Sequence, residues 1–193
     1  MADPARSKTL GLSSEATIIM PIKPGVVPGE RRTYRVRLEH ALESIDRRAR
    51  SGIETPIPLL KTIHFARWHI YDPAPQGDPL LVFTVSFDGR LKHYFRRFSH
   101  GIPDDVDRIF GNCEGYPEKG ARDFDALWRF VKRHQVEAKT FYSAFPHLTL
   151  TDIKNLELFK KDFDAWVAAN LSGATESALK TSLTDFVLAS RRA

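Results

Sequence analysis

The sequence predicts an α+β protein of ferredoxin-like β-α-β-β-α-β order, an antiparallel sheet with its helices on one face. Three observations carry this expectation. Residues 61–72 (KTIHFARWHIYD) and 79–89 (PLLVFTVSFDG) are strand-like runs joined by a loop too short for a helical crossover, which makes them an antiparallel hairpin. Amphipathic helical patterns flank that hairpin on both sides. Outside the helices, one strand-like run precedes and another follows, completing the alternation.

Residues 1–14 are polar and without periodicity, and are expected to form a flexible arm. ATIIMPIKPG is a short β-branched run that stops at a Pro-Gly turn, the first strand. From Glu30 to Arg50 the apolar positions Tyr34, Leu38, Ala41, Leu42, Ile45 and Ala49 recur at helical spacing, and Gly52 supplies the stop. IETPIPLL, with two prolines, is a connector. After the hairpin, RLKHYFRRF places Leu91, Tyr94, Phe95 and Phe98 on one helical face, and PDDVDRIFGNC adds a further turn or two. EGYPEKG breaks the chain. DFDALWRFVKRHQ then forms a helix with Phe124, Leu127, Trp128 and Val131 inward, and EAKTFYSAFP reads as the fourth strand, ended by Pro146. A long helix starting in LTLTDI and ending at Gly173, then a weaker one in TESALKTSLTDFVLASRRA, close the chain. The expected organisation is an arm (1–14), a ferredoxin-like domain (15–148) and a C-terminal helical extension (149–193) packed on the same domain.

Hydrophobic residues at 42% and charged residues at 27% describe a globular chain with a real core rather than a disordered one. The single cysteine, Cys113, excludes an internal disulfide and any cysteine-rich metal centre built by one chain, which fits the cytoplasm. No stretch approaches the roughly 18 apolar residues of a membrane span, and TIIM runs into Pro21 and Lys23 too soon for a signal peptide. The net charge of +5 comes from ERRTYRVRLEHALESIDRRAR and LKHYFRRF. Both carry their charges opposite an apolar stripe, as solvated helix faces do, so neither nucleic acid nor an anionic membrane surface is expected as a partner.

Strand alternation sorts the polar residues that chemistry would need. In TIHFARWHIYD it places Thr62, His64, Ala66 and Trp68 on one face and Phe65, Arg67, His69 and Tyr71 on the other, so His64 and His69 do not form a metal pair. In the next strand Thr84, Ser86 and Asp88 share a face, and in EAKTFYSAFP so do Thr140 and Tyr142. The candidate catalytic set is Arg67, His69, Asp88 and Tyr142, flooring a pocket on the face away from the helices. Each has a plainer reading: Arg67 and Asp88 as a structural ion pair, His69 as an interface histidine, Asp88 as a cap for the helix that follows. His64, with Ala66 and Trp68, is expected toward the helix layer, as a core histidine or an axial ligand. His93 and His100 are seven apart and return to one helical face, where they are either solvated or, if that face borders a dimer cavity, one of them, His93 or His100, is a ligand.

HFARW, SFDG, NCEGYP and RHQVEAKTFYSAFPHLTLTDI resemble a largely uncharacterised group of bacterial proteins with patterns such as H-F-A-R-F, N-F-D-G and Y-S-A-Y-P-x-L-T. The likeness spans residues 17 to 160. A more distant resemblance is to the dimeric α+β barrel superfamily, which includes dye-decolourising peroxidases with a G-x-x-D-G motif. VSFDG supplies Asp88 and Gly89 but has Val85 in place of the first glycine. That resemblance implies a haem-binding, peroxidase-like oxidoreductase, with Asp88 and Arg67 managing protons and charge, and His64 or His93 holding the iron. Without haem, the same pocket would suit a cofactor-free oxygenase. The other expectation is a non-catalytic module that binds a small apolar ligand or a protein partner through the uncovered sheet face. Because a sheet with helices on one side leaves its other face to bury, a homodimer is expected in either case.

Overall fold

A computed structural model describes residues 7–51, 62–73, 77–170, 172 and 175–190. The protein is α+β, with an open antiparallel sheet of five strands and six helices among these residues. The strands are β1 (Thr9–Leu10), β2 (Ser13–Pro21), β3 (Ile63–Tyr71), β4 (Leu80–Asp88) and β5 (Gln135–Val136). The helices are α1 (Tyr34–Arg50), α2 (Leu91–Gly101), α3 (Pro103–Phe110), α4 (Phe124–His134), α5 (Leu150–Asn170) and α6 (Glu176–Ser190). The chain divides into two compact units, Met1–Leu150 and Thr151–Ala193. No helix among the described residues is long and apolar enough to cross a membrane.

In the first unit β2 lies beside β4 over nine register pairs, from Ser13 opposite Asp88 to Pro21 opposite Leu80, and β3 pairs the other side of β4. β1 and β5 share the outer side of β2. Alternation produces one buried face, with Ala16, Ile18 and Met20 from β2 and Leu81, Phe83, Val85 and Phe87 from β4, none more than 3% exposed. Leu38, Tyr94, Phe95, Phe98, Val106, Phe110, Leu127 and Val131 from α1 to α4 complete that core. It is rich in rings: Phe83 lies between Trp68 at 5.1 Å and Phe110 at 5.5 Å, and Phe87 stacks on Tyr94 at 4.4 Å. Offset and edge contacts of this kind add to area burial by about 0.5–1.5 kcal/mol a pair.

The helix starts follow capping chemistry. α1 begins at Tyr34 rather than near Glu30, because Thr33 caps it by accepting the Val36 N–H at 3.2 Å. Asp123 caps α4 in the same way through the Ala126 N–H, and α3 opens on Pro103 with Asp104 and Asp105 in its first turn.

Two expectations are corrected. Residues 9–14 are not an arm: β1 turns back through Gly11 and pairs Thr9 and Leu10 with Ser14 and Ser13. The fourth strand shrinks from 137–146 to Gln135–Val136, and residues 137–149 are irregular. The reason is room at the edge. In the register that sets Val136 opposite Thr17, Lys139 and Thr140 would fall opposite Ser14 and Ser13, and β1 already pairs with both. The arm's first six residues, Gly52, the IETPIPLL connector and Gly173 lie outside the described residues.

The second unit is a helical pair. Phe159, Phe163 and Trp166 of α5 meet Phe186 of α6 at 5.7–6.0 Å, and the Trp166 indole N–H donates to Ser182 Oγ at 2.9 Å. Ser182 in turn donates to Asn170 Oδ1 at 3.0 Å. None of the described residues of α5 or α6 is buried, and tilted ring contacts and this short polar chain join the two helices.

Candidate functional site

The polar residues gather where β3 begins and β4 ends. From Tyr71 back to Phe65, β3 pairs with β4 residue for residue, Arg67 opposite Thr84 and Phe65 opposite Ser86, but Ile63 falls opposite Phe87, so His64 is one residue too many. Such a bulge turns the extra side chain out of the regular alternation. Its consequence is a hydrogen bond from the His64 ring to Asp88: Nε2 lies 2.6 Å from Oδ1, with the two side chains only 13% and 10% exposed. The other carboxylate oxygen of Asp88 accepts the Leu150 N–H at 2.9 Å. A carboxylate only accepts, so Nε2 donates to it.

His64 therefore does not join Ala66 and Trp68 against the helices, and this is the main correction to strand alternation. Asp88 neither pairs with Arg67 nor caps α2, whose N-cap, Arg90, makes no side-chain capping bond. The Arg67 guanidinium sits 5.6 Å over the Phe65 ring instead. β3 also lies at the edge of the sheet, where bulges guard against further strand pairing. Edge protection alone leaves the His64–Asp88 bond unexplained, whereas re-aiming a side chain accounts for both.

The rest of the face away from the helices follows the expected alternation. Phe65, Arg67, His69 and Tyr71 of β3 are exposed, Phe65 to 63% and Tyr71 to 55%. Beside them lie Val82, Thr84 and Ser86 of β4, then Thr17 and Ile19 of β2, all half-buried. Tyr142 is not among them: the loss of the fourth strand leaves it 80% exposed in the irregular segment. His93 lies exposed on α2 and His100 bonds the Arg96 carbonyl, both on the solvated side of that helix.

Sequence reasoning overlooked Glu15. It sits on the same face opposite Ser86, buried to 8% exposure, and its carboxylate accepts the Lys8 N–H at 3.2 Å. Its signal was a carboxylate two residues before TIIM, in step with the open-face positions. Burial raises its pKa above the usual 4.5, with the bonds from Lys8 and Thr17 acting the other way. A raised native pKa means that folding is favoured by this group below about 4.5 and that the benefit is lost as pH rises through the native value. Glu15→Gln is expected to remove that downward step from a plot of denaturation midpoint against pH; an unchanged step would show that Glu15 is not its source.

NCEGYP lies at the other end of β2 and builds scaffold. Asp107 Oδ1 accepts the Tyr116 hydroxyl at 2.5 Å and the Ala121 N–H at 2.6 Å, and Gly120, at φ 70°, passes so close that a Cβ would stand 2.6 Å from Oδ2. Lys23, Asp107, Gly111 and residues 116–120 line a polar pocket of about 370 Å³ there. Cys113 is fully buried and its thiol is pushed up to about 12 by desolvation, a small hydrophobe rather than a nucleophile.

The surroundings of the two histidines expected to hold iron, His64 and His93, differ. His93 faces solvent on α2, and the helix side of the sheet is filled by Phe83, Phe87, Tyr94, Phe95 and Phe98. Among the described residues no group of three or more His, Cys, Asp or Glu stands close enough to hold a metal ion. The fold and site thus define an α+β protein with an open antiparallel sheet and a histidine–carboxylate pair at one end of its uncovered face. Comparison with protein-family models, curated proteins and solved structures gave no match.

Proposed function

We propose that this protein is a binding module that works through the uncovered face of its sheet, taking a small, mainly apolar ligand between two copies of the chain. The observation that carries this is the β3 row, with Phe65 and Tyr71 more than half exposed on either side of Arg67 and His69. Aromatic side chains left exposed at both ends of one strand's face are costly to leave in water, roughly 25 cal/mol per Å² of apolar surface. The pairing order β5-β2-β4-β3 supports a ferredoxin-like topology, and two such sheets packed face to face make an α+β barrel that encloses a cavity. The peroxidase-like alternative has less support, since Phe83, Phe87, Tyr94, Phe95 and Phe98 fill the helix side of the sheet.

The test is association. The full chain is expected to sediment as a dimer, and Phe65→Lys with Tyr71→Lys to shift it to monomer with the far-ultraviolet circular dichroism retained. A wild-type chain that stays monomeric over the whole accessible concentration range would contradict the paired-face reading.

A further inference from the structure

Two lysines and two carboxylates line the polar pocket of about 370 Å³ beyond the Pro21 end of β2: Lys23 just past the strand, Asp107 on α3, and Glu118 and Lys119 in the turn that follows. We infer that this pocket is a site for a small zwitterion, a free amino acid or a comparable compound that carries one ammonium and one carboxylate.

The charges of the lining balance in sign and yet do not neutralise one another in pairs. Among the described residues no two of the four form an ion pair, and the Glu118 and Lys119 side chains make no hydrogen bond or ion pair. The two inner groups are held by neighbours of other kinds. Lys23 Nζ donates to the Gly111 carbonyl at 2.9 Å and stands 5.3 Å over the Tyr34 ring. Asp107 accepts the Tyr116 hydroxyl and the Ala121 N–H, both on Oδ1. Both side chains are half-buried, so each charge is partly out of water and gains from a ligand group of opposite sign. Glu118 and Lys119 are exposed and repeat the two charges at the mouth. A plain anion would meet two carboxylates here and a plain cation two ammoniums, whereas a ligand with both charges on a short carbon frame answers all four. Tyr116 and Pro117 give that frame an apolar wall. The volume lies at the lower end of the roughly 300–1,000 Å³ of small-molecule sites, which suits a ligand of this size. A purely structural turn accounts for Lys23 at the C-terminal end of α3 and for Asp107 beside Gly120. It does not account for opposite charges that line one cavity without pairing.

None of the pocket's residues belongs to the open sheet face, so this inference and the paired-face reading stand or fall separately. The full-length protein is titrated at neutral pH with glycine, L-alanine and L-glutamine, then with acetate and with methylammonium, while NMR reads the backbone amides of Gly111, Tyr116, Gly120 and Ala121. The amino acids are expected to shift these signals saturably. Acetate and methylammonium, each lacking one of the two charges, are expected to bind at least about tenfold more weakly, as the loss of a charge-assisted hydrogen bond implies. Lys23→Met is expected to raise the amino-acid Kd about tenfold, and Glu118→Gln severalfold. Glu114→Gln, in the same turn but outside the lining, is expected to leave it unchanged. Glu118 is exposed and without a partner, so its replacement keeps the fold and the test does not depend on how well Lys23→Met folds. Acetate or methylammonium binding as tightly as the amino acids would overturn the zwitterion and leave a site for a single charge. If none of the four amides shifts with any probe, the site itself is overturned.

Discussion

Phe83→Ala is expected to lower the unfolding free energy by about 3–5 kcal/mol, the largest loss of any single truncation in the sheet. Phe83 is fully buried in the middle of β4, paired with Ile18 on one side and Trp68 on the other, and its ring touches both Trp68 and Phe110. Alanine removes the transfer free energy of the ring and leaves a cavity bounded by two elements, β3 and α3, that cannot both collapse into it. Urea denaturation measures the effect directly. A loss below about 1 kcal/mol would mean that the sheet and helices are not packed through this residue.

Asp88→Ala has the second largest expected effect. It deprives two donors, the His64 Nε2–H and the Leu150 N–H, of their acceptor, and each buried unpaired donor costs about 1–3 kcal/mol. Asp88→Asn is expected to lose less, because its amide oxygen still serves Leu150 and its nitrogen donates to Nε2 of a His64 ring whose proton sits on Nδ1. The order alanine worse than asparagine, read from denaturation midpoints, checks the two-bond geometry. Equal losses in the two variants would contradict it.

How much of this was legible in the sequence differs from element to element. The β3–β4 hairpin was legible because seven loop residues admit no helix and because alternation runs unbroken from Phe65 to Tyr71, which places Arg67 and His69 on the open face. Helices α1, α2 and α4 announced themselves by apolar spacing, and their ends shifted only where a cap set them. His64 was misplaced because a bulge depends on counting residues against a partner strand, and one strand's own pattern holds no trace of that count. Thr140, Phe141 and Tyr142 have strand-forming side chains, yet in the register of β5 Thr140 would fall opposite Ser13, which β1 already holds. Propensity reports how a residue fits a sheet, not whether a sheet edge is free. The partner that Asp88 takes at Leu150 lies 62 residues away, a contact that only the tertiary fold creates.

The central claim, that the uncovered sheet face is the working surface, is tested most directly by hydroxyl-radical footprinting of the full chain over a concentration series. Tyr142, 80% exposed and outside the sheet, serves as the internal reference. Modification of Phe65, His69 and Tyr71 relative to Tyr142 is expected to fall severalfold as concentration rises and the faces close. Rates for all four side chains that stay in constant proportion throughout would contradict the account.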